Sequence, residues 1–197
     1  LLEQAQTVAR GQSLRNEALK LLTYLIDNMN KPRGRDDLGA KSLPGDVRAE
    51  LYHLRGNIYF ERNQGNLALA DFSSALSETS DSVTVIVDYG KALFSKGKVE
   101  EAEKYLLEVI QKESENPVAN YYLAQISERR KRPREREKYL NKTLKKGGKS
   151  FPVAYRDLGN IYWARGQNER AKKHYEKYLK FARPRPIDAD EYERRLR

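Results

Sequence analysis

Apolar residues along this chain recur at spacings of three and four, broken at regular intervals by turn formers. Tyr52, Gly56 and Tyr59 mark one face of one segment, and Ala68, Phe72, Ala75 and Leu76 mark one face of the next. Such spacing lays a stripe along a helix. Between segments stand Asn63-Gln64-Gly65, Lys96-Gly97-Lys98, Lys131-Arg132-Pro133 and Arg165-Gly166-Gln167, each rich in residues that stop helices. The pattern predicts a helix, a tight turn and an antiparallel helix, repeated along the chain. Gly56-Asn57-Ile58-Tyr59 returns as Gly159-Asn160-Ile161-Tyr162, 103 positions later, which is three steps of 34 and one more.

That step organises the rest of the sequence. From Gly56 it reaches Gly90 and Ala124, and a step of 35 reaches Gly159. Twelve residues after each small residue come Ala68, Ala102, Arg136 and Ala171, then Phe72, Leu106, Leu140 and Tyr175. Ala75-Leu76, Val109-Ile110, Thr143-Leu144 and Tyr178-Leu179 follow in the same register. A small residue fits where two helices cross, because a larger side chain forces the backbones apart. Self-similarity at a fixed period outranks any single local signal.

In this register Leu158, Gly159 and Tyr162, followed by Ala171 and Tyr175, resemble the tetratricopeptide repeat (TPR) family, whose signature runs W-x2-L-G-x2-Y, then A-x3-F, then P. The resemblance covers Asp46 to Pro184 as four repeats. It implies an all-α, right-handed superhelical solenoid of antiparallel helix pairs with a C-terminal capping helix. Arg55, Ser127 and Arg136 depart from the expected Leu, Tyr and Ala. The third repeat is therefore expected to pack most loosely, with the Arg136 guanidinium reaching outward.

Residues 1–29 predict a degenerate helix pair, with Leu1 to Gly11 as a shortened first helix and Ala18, Leu22, Leu25 and Ile26 on the second. Residues 30–47, NKPRGRDDLGAKSLPGDV, predict a loop of unusual length. Repeats fill 48–185, and 186–197 form the capping helix, with Asp188, Asp190 and Glu191 at its start and Tyr192 and Leu196 on one face.

Composition narrows the chemistry. Hydrophobic residues make up 39% of 197 and charged residues 34%, a balance suited to a helical array with much surface. No cysteine is present, which excludes disulfides, thiolate zinc sites and cysteine nucleophiles. No apolar run approaches the roughly 18 residues of a membrane span, so the chain is expected to be soluble. It does not open on methionine and is expected to be trimmed. The two histidines, His53 and His174, lack metal-ligand spacing, no phosphate-binding glycine loop occurs, and Gly147-Gly148 is a turn. Neither catalysis nor a cofactor or metal is expected.

The resemblance places the first helix of each repeat on a concave face. One row along it holds Asn57, Lys91, Gln125 and Asn160, a second Phe60, Phe94, Glu128 and Trp163, and a third His53, Val87, Tyr121 and Arg156. Amides pair with a peptide backbone whatever its sequence, and aromatics supply apolar area at small entropic cost. Relatives that clamp a chaperone's C-terminal carboxylate carry Lys, Asn and Arg at set positions. Here those positions hold His53 with Asn57, Asp88, and Val118 with Tyr122, so chaperone-tail binding is not expected.

Eleven Lys and Arg lie between Arg129 and Lys149 against Glu135 and Glu137. Arg129, Arg130, Lys131, Arg132, Arg134, Lys138, Lys142, Lys145 and Lys146 form the bulk of this stripe, which accounts for most of the chain's charge of +10. It suits an acidic protein partner; nucleic acid is disfavoured because its one aromatic, Tyr139, is a core position. The expected function is a non-catalytic adaptor that grips a peptide segment or partner protein in the concave face, in a bacterial envelope, pilus or motility assembly, in the cytoplasm or periplasm. The alternative is nucleic-acid or anionic-surface binding through residues 129–149.

Overall fold

In the computed structural model, residues 2–29 and 43–196 are described, with side chains from residue 11 onward. They form ten α-helices, one 3-10 turn and no strand. No helix among them is long and apolar enough to cross a membrane. The chain divides into two compact units, Leu1–Lys98 and Val99–Arg197.

The first unit holds α1 (Leu2–Asn28), α2 (Gly45–Glu61), α3 (Gly65–Glu78) and α4 (Val83–Ser95). Here the expected N-terminal helix pair is corrected, because α1 runs unbroken through Gly11. A lone glycine costs a helix only about 1 kcal/mol, and no proline accompanies it. Leu25 also lies outside, 44% exposed, while Ile26 is buried. Arg15 Nε meets Glu61 Oε2 at 3.0 Å, joining α1 to α2. Of the expected 30–47 loop, residues 30–42 lie outside the described residues, and the last three belong to α2.

Gly56 is where α2 crosses α3. A Cβ there would stand 2.8 Å from the Phe72 ring, so only glycine lets Phe72 reach the core formed with Ala68 and Ala92. Arg55, out of pattern in the sequence, grips the buried Asp71 through two bonds of 2.8 and 2.7 Å. The pairing satisfies a carboxylate that would otherwise be costly to bury.

The second unit holds α5 (Val99–Lys112), α6 (Pro117–Arg129), α7 (Pro133–Gly147), a 3-10 turn (Gly148–Ser150), α8 (Pro152–Ala164), α9 (Asn168–Phe181) and α10 (Ala189–Leu196). Proline begins α6, α7 and α8, where its missing N–H and fixed φ do no harm. Asn116 caps α6 by accepting from the Ala119 N–H at 3.0 Å. A Cβ on Gly159 would stand 2.4 Å from the Tyr175 ring, the same crossing as Gly56 over Phe72. Tyr192 of α10 lies 4.7 Å from Tyr175 and 5.5 Å from Tyr178, ring centroid to centroid.

Arg136 does not reach into solvent. Its side chain is 16% exposed, with Nη2 at 2.9 Å from Glu128 and 3.8 Å from the buried Asp157. Ser127, standing where the pattern has Tyr, is buried and donates to the Leu123 carbonyl at 2.8 Å.

Candidate partner-binding faces

On α2, His53, Asn57 and Phe60 fall at i, i+4 and i+7 and so share one face. Asp88, Lys91 and Phe94 of α4 follow a similar line. His53 Nε2 lies 2.9 Å from Asp88 Oδ2, with the Asn57 amide nitrogen 3.2 Å from the same ring atom. Lys91 Nζ is 3.4 Å from Asp88 Oδ1 and 4.5 Å from the centre of the Phe60 ring. Burial alone would raise the Asp88 carboxyl, but the His53 hydrogen bond and the Lys91 charge hold it below its ordinary range. All of these side chains are half-buried. A pocket of about 410 Å3 opens beside His53, lined among others by Ala49, Val85, Asp46 and Glu50. Val87, expected on this face, is buried instead; α4 is covered on three consecutive positions, Val85 to Val87.

In the second unit Tyr121 and Gln125 lie on α6, and Arg156, Asn160 and Trp163 on α8. Asp157 ties Gln125 to Arg156. It is buried and accepts from Gln125 Nε2 at 3.1 Å and from Arg156 Nη2 at 3.0 Å. Arg156 also reaches Asp188 Oδ2 at 3.5 Å.

Two residues expected to be open to a partner are held internally. Asn160 Oδ1 accepts from the Tyr175 hydroxyl at 3.0 Å and from Arg195 Nη1 at 3.1 Å, and its amide nitrogen is 3.4 Å from the Tyr192 hydroxyl. The Arg195 guanidinium stands 5.4 Å from the Trp163 ring centre, a cation–π distance. The cause is α10, which lies against this face and supplies polar partners of its own. Asp88, Asp157, Asp188 and Arg195 thus belong to these faces although the register singled out none of them for the groove. Asp88 three places before Lys91 and Asp157 directly after Arg156 were the available signals.

Part of the basic stripe is answered by acids. Arg130 Nη1 lies 2.5 Å from Glu103 and Arg132 Nη1 3.5 Å from Glu135. Lys145 pairs with Glu115, and Lys142 Nζ is 3.4 Å from the Ser114 carbonyl. Lys131, Arg134, Lys138 and Lys146 are exposed without a salt bridge among the described residues, and Arg129 is exposed as well. No group of three or more His, Cys, Asp and Glu suited to a metal occurs among the described residues. His174 is half-buried against Tyr155 and Tyr162, where burial and nearby Lys177 lower its pKa.

Tyr121 is pushed up to about 12 by burial and by the Asp157 charge, and Tyr178 to about 12 by burial and its bond to Asp188, against an ordinary 10.0. Folding therefore favours the neutral phenols. Their contribution to stability is complete below pH 10 and disappears as pH rises towards 12. Unfolding midpoints should hold steady up to about pH 10 and fall beyond it, with phenolate absorbance from these two tyrosines appearing late. Complete titration of every tyrosine near pH 10 in the folded chain would contradict this.

The profile of the Tetratricopeptide repeat-like domain family matches residues 61–186. No curated protein matches the chain. Among solved structures, PilW, described as a widely conserved type IV pilus biogenesis factor, is 20% identical at a TM-score of 0.66, covering 100% of this chain and 92% of its own. MamA from Desulfovibrio magneticus RS-1 is 15% identical at 0.66, covering 91% of each chain. YrrB, described as a TPR protein with an unusual peptide-binding site, is 16% identical at 0.57, covering 98% of this chain and 87% of its own. At these identities the likeness is one of fold.

Proposed function

As the chain belongs to the tetratricopeptide repeat-like family, we propose that it is a non-catalytic adaptor that holds a peptide segment or partner protein on the first-helix faces of its repeats. The observation that carries this is the row His53, Asn57 and Phe60 on α2, with Lys91 over Phe60 and a pocket of about 410 Å3 alongside. It combines an amide for a peptide backbone, an aromatic surface and a seat for a side chain, the mixture expected of a recognition face. The role of PilW as a type IV pilus biogenesis factor supports a bacterial envelope or pilus assembly as the setting, and the peptide-binding site of YrrB supports a peptide segment as what is held. The second unit contributes less open surface, since Asn160 and Trp163 are engaged by α10. The ion pairs along residues 129–149 weaken a nucleic-acid reading of the stripe.

The test begins by capturing a partner from the native cell on the immobilised chain and measuring its affinity in purified form. Asn57→Ala with Phe60→Ala should weaken that affinity by about 2 kcal/mol or more, as expected for an aromatic anchor and one amide bond. The thermal midpoint should move by only a few degrees, since both side chains are half-buried. Unchanged affinity in the double variant would move the site off this face.

A further inference from the structure

We propose that the end of the second unit where α7 and α9 finish is a contact surface for an anionic lipid bilayer. Phe181 brings the two helix ends together, with Lys149 Nζ 5.7 Å and Lys180 Nζ 6.0 Å from its ring centre. Lys146, Lys149, Lys180 and Arg183 are all exposed there. None of the four makes a salt bridge among the described residues; Arg183 donates instead to the Ala182 carbonyl at 2.7 Å.

The chain immediately beyond presents Ile187, 106% exposed and the barest large apolar side chain among the described residues. Its loop is not loosely tethered. The next residue, Asp188, accepts from the Tyr178 hydroxyl at 2.6 Å and pairs with Arg156. The fold thus fixes the backbone beside Ile187 while leaving its side chain no protein contact that would explain it.

Exposed cations without a salt bridge where α7 and α9 finish, followed in the chain by a standing apolar side chain, match a surface with anionic headgroups over hydrocarbon. Lysines on flexible stems suit a fluid array of headgroups better than a single fixed acid. Ile187 reaches inward at the headgroup and acyl boundary, as apolar residues of surface-bound proteins do. Phe181 and Phe151 at this end are both half-buried, Phe181 beneath the two lysines, which is a poor platform for base stacking.

The test is flotation of the full chain with vesicles of equimolar phosphatidylcholine and phosphatidylserine, compared with vesicles of phosphatidylcholine alone. Binding is expected to the anionic vesicles only, and to fall as salt is raised. Each lysine near such a surface strengthens binding about fivefold, so Lys146→Gln, Lys149→Gln and Lys180→Gln together should weaken it roughly 100-fold. Ile187→Ser should weaken it about tenfold or more. Lys131→Gln, Arg134→Gln and Lys138→Gln remove the same formal charge from the opposite end of α7 and should leave binding close to that of the unaltered chain. All seven side chains are exposed, and a thermal melt of each variant verifies that it folds. Equal loss in this control would reduce the effect to net charge and overturn the proposal. So would equal binding to the neutral vesicles, or failure to bind the anionic ones while binding polyglutamate or duplex DNA in the same buffer.

Discussion

Tyr175→Ala should destabilise the second unit by roughly 3 to 5 kcal/mol, the range for removing a large ring from a closed core. The side chain is fully buried. It fills the space that Gly159 leaves open and lies 4.7 Å from Tyr192 and 6.4 Å from Trp163. Its hydroxyl donates to Asn160 at 3.0 Å and lies 2.9 Å from Arg195 Nη1, so the same change removes a polar anchor of α10. Trp163 is the only tryptophan, and a urea titration followed by its emission reads this unit directly. Emission should also move to the red in the folded variant as Arg195 and α10 release the ring. Gly159→Ala alone should cost about 1 to 2 kcal/mol, overpacking against Tyr175 offset in part by better helix propensity. With Tyr175→Ala already in place, Gly159→Ala should cost nothing or stabilise, because the ring it would strike is gone. Additive losses would show that the two residues do not meet at this crossing.

The crossing was legible from sequence because it rests on size and period. Gly56 with Phe72 and Gly159 with Tyr175 each lie sixteen residues apart in one register, and the structure puts each pair in contact. Charge within the register was misread. Arg136 counts as a defect while its neighbours are unknown; the exposed Glu128 and the buried Asp157 give its largely covered guanidinium acidic partners, and nothing in periodicity links those three positions. Arg55 is the same case, its partner Asp71 lying on the next helix. The groove register placed Asn160 and Trp163 on an open face because it treats a capping helix as apolar cover. Arg195 gives α10 a polar reach that apolar spacing at Tyr192 and Leu196 does not announce. Gly11 misled in the opposite sense: a turn former without a second breaker bends to the helical pattern on both sides.

Asp157→Ala should be the most damaging polar change, at about 3 kcal/mol, the low end for breaking a buried ion pair. The carboxylate side chain is 5% exposed, whereas Arg156 and Arg136 are 29% and 16% exposed, so each abandoned guanidinium keeps some water and the full penalty does not apply. Arg156 retains Asp188 at 3.5 Å, and Arg136 retains Glu128 at 2.9 Å. Gln125 Nε2, now 3.1 Å from Asp157, loses its acceptor and is freed towards the face that α6 presents. If Asp157 acts through Arg156, removing the carboxylate in an Arg156→Ala background should cost less by about 1 kcal/mol or more. The Tyr121 phenol supplies a second readout. The Asp157 charge is the next cause after burial of its rise to about 12, so in Asp157→Ala the phenol should ionise at lower pH while its burial is unchanged. A loss of under about 0.5 kcal/mol, the range of an ordinary surface change, together with an unmoved Tyr121 titration, would show that Asp157 does not organise the inner face of α6 and α8.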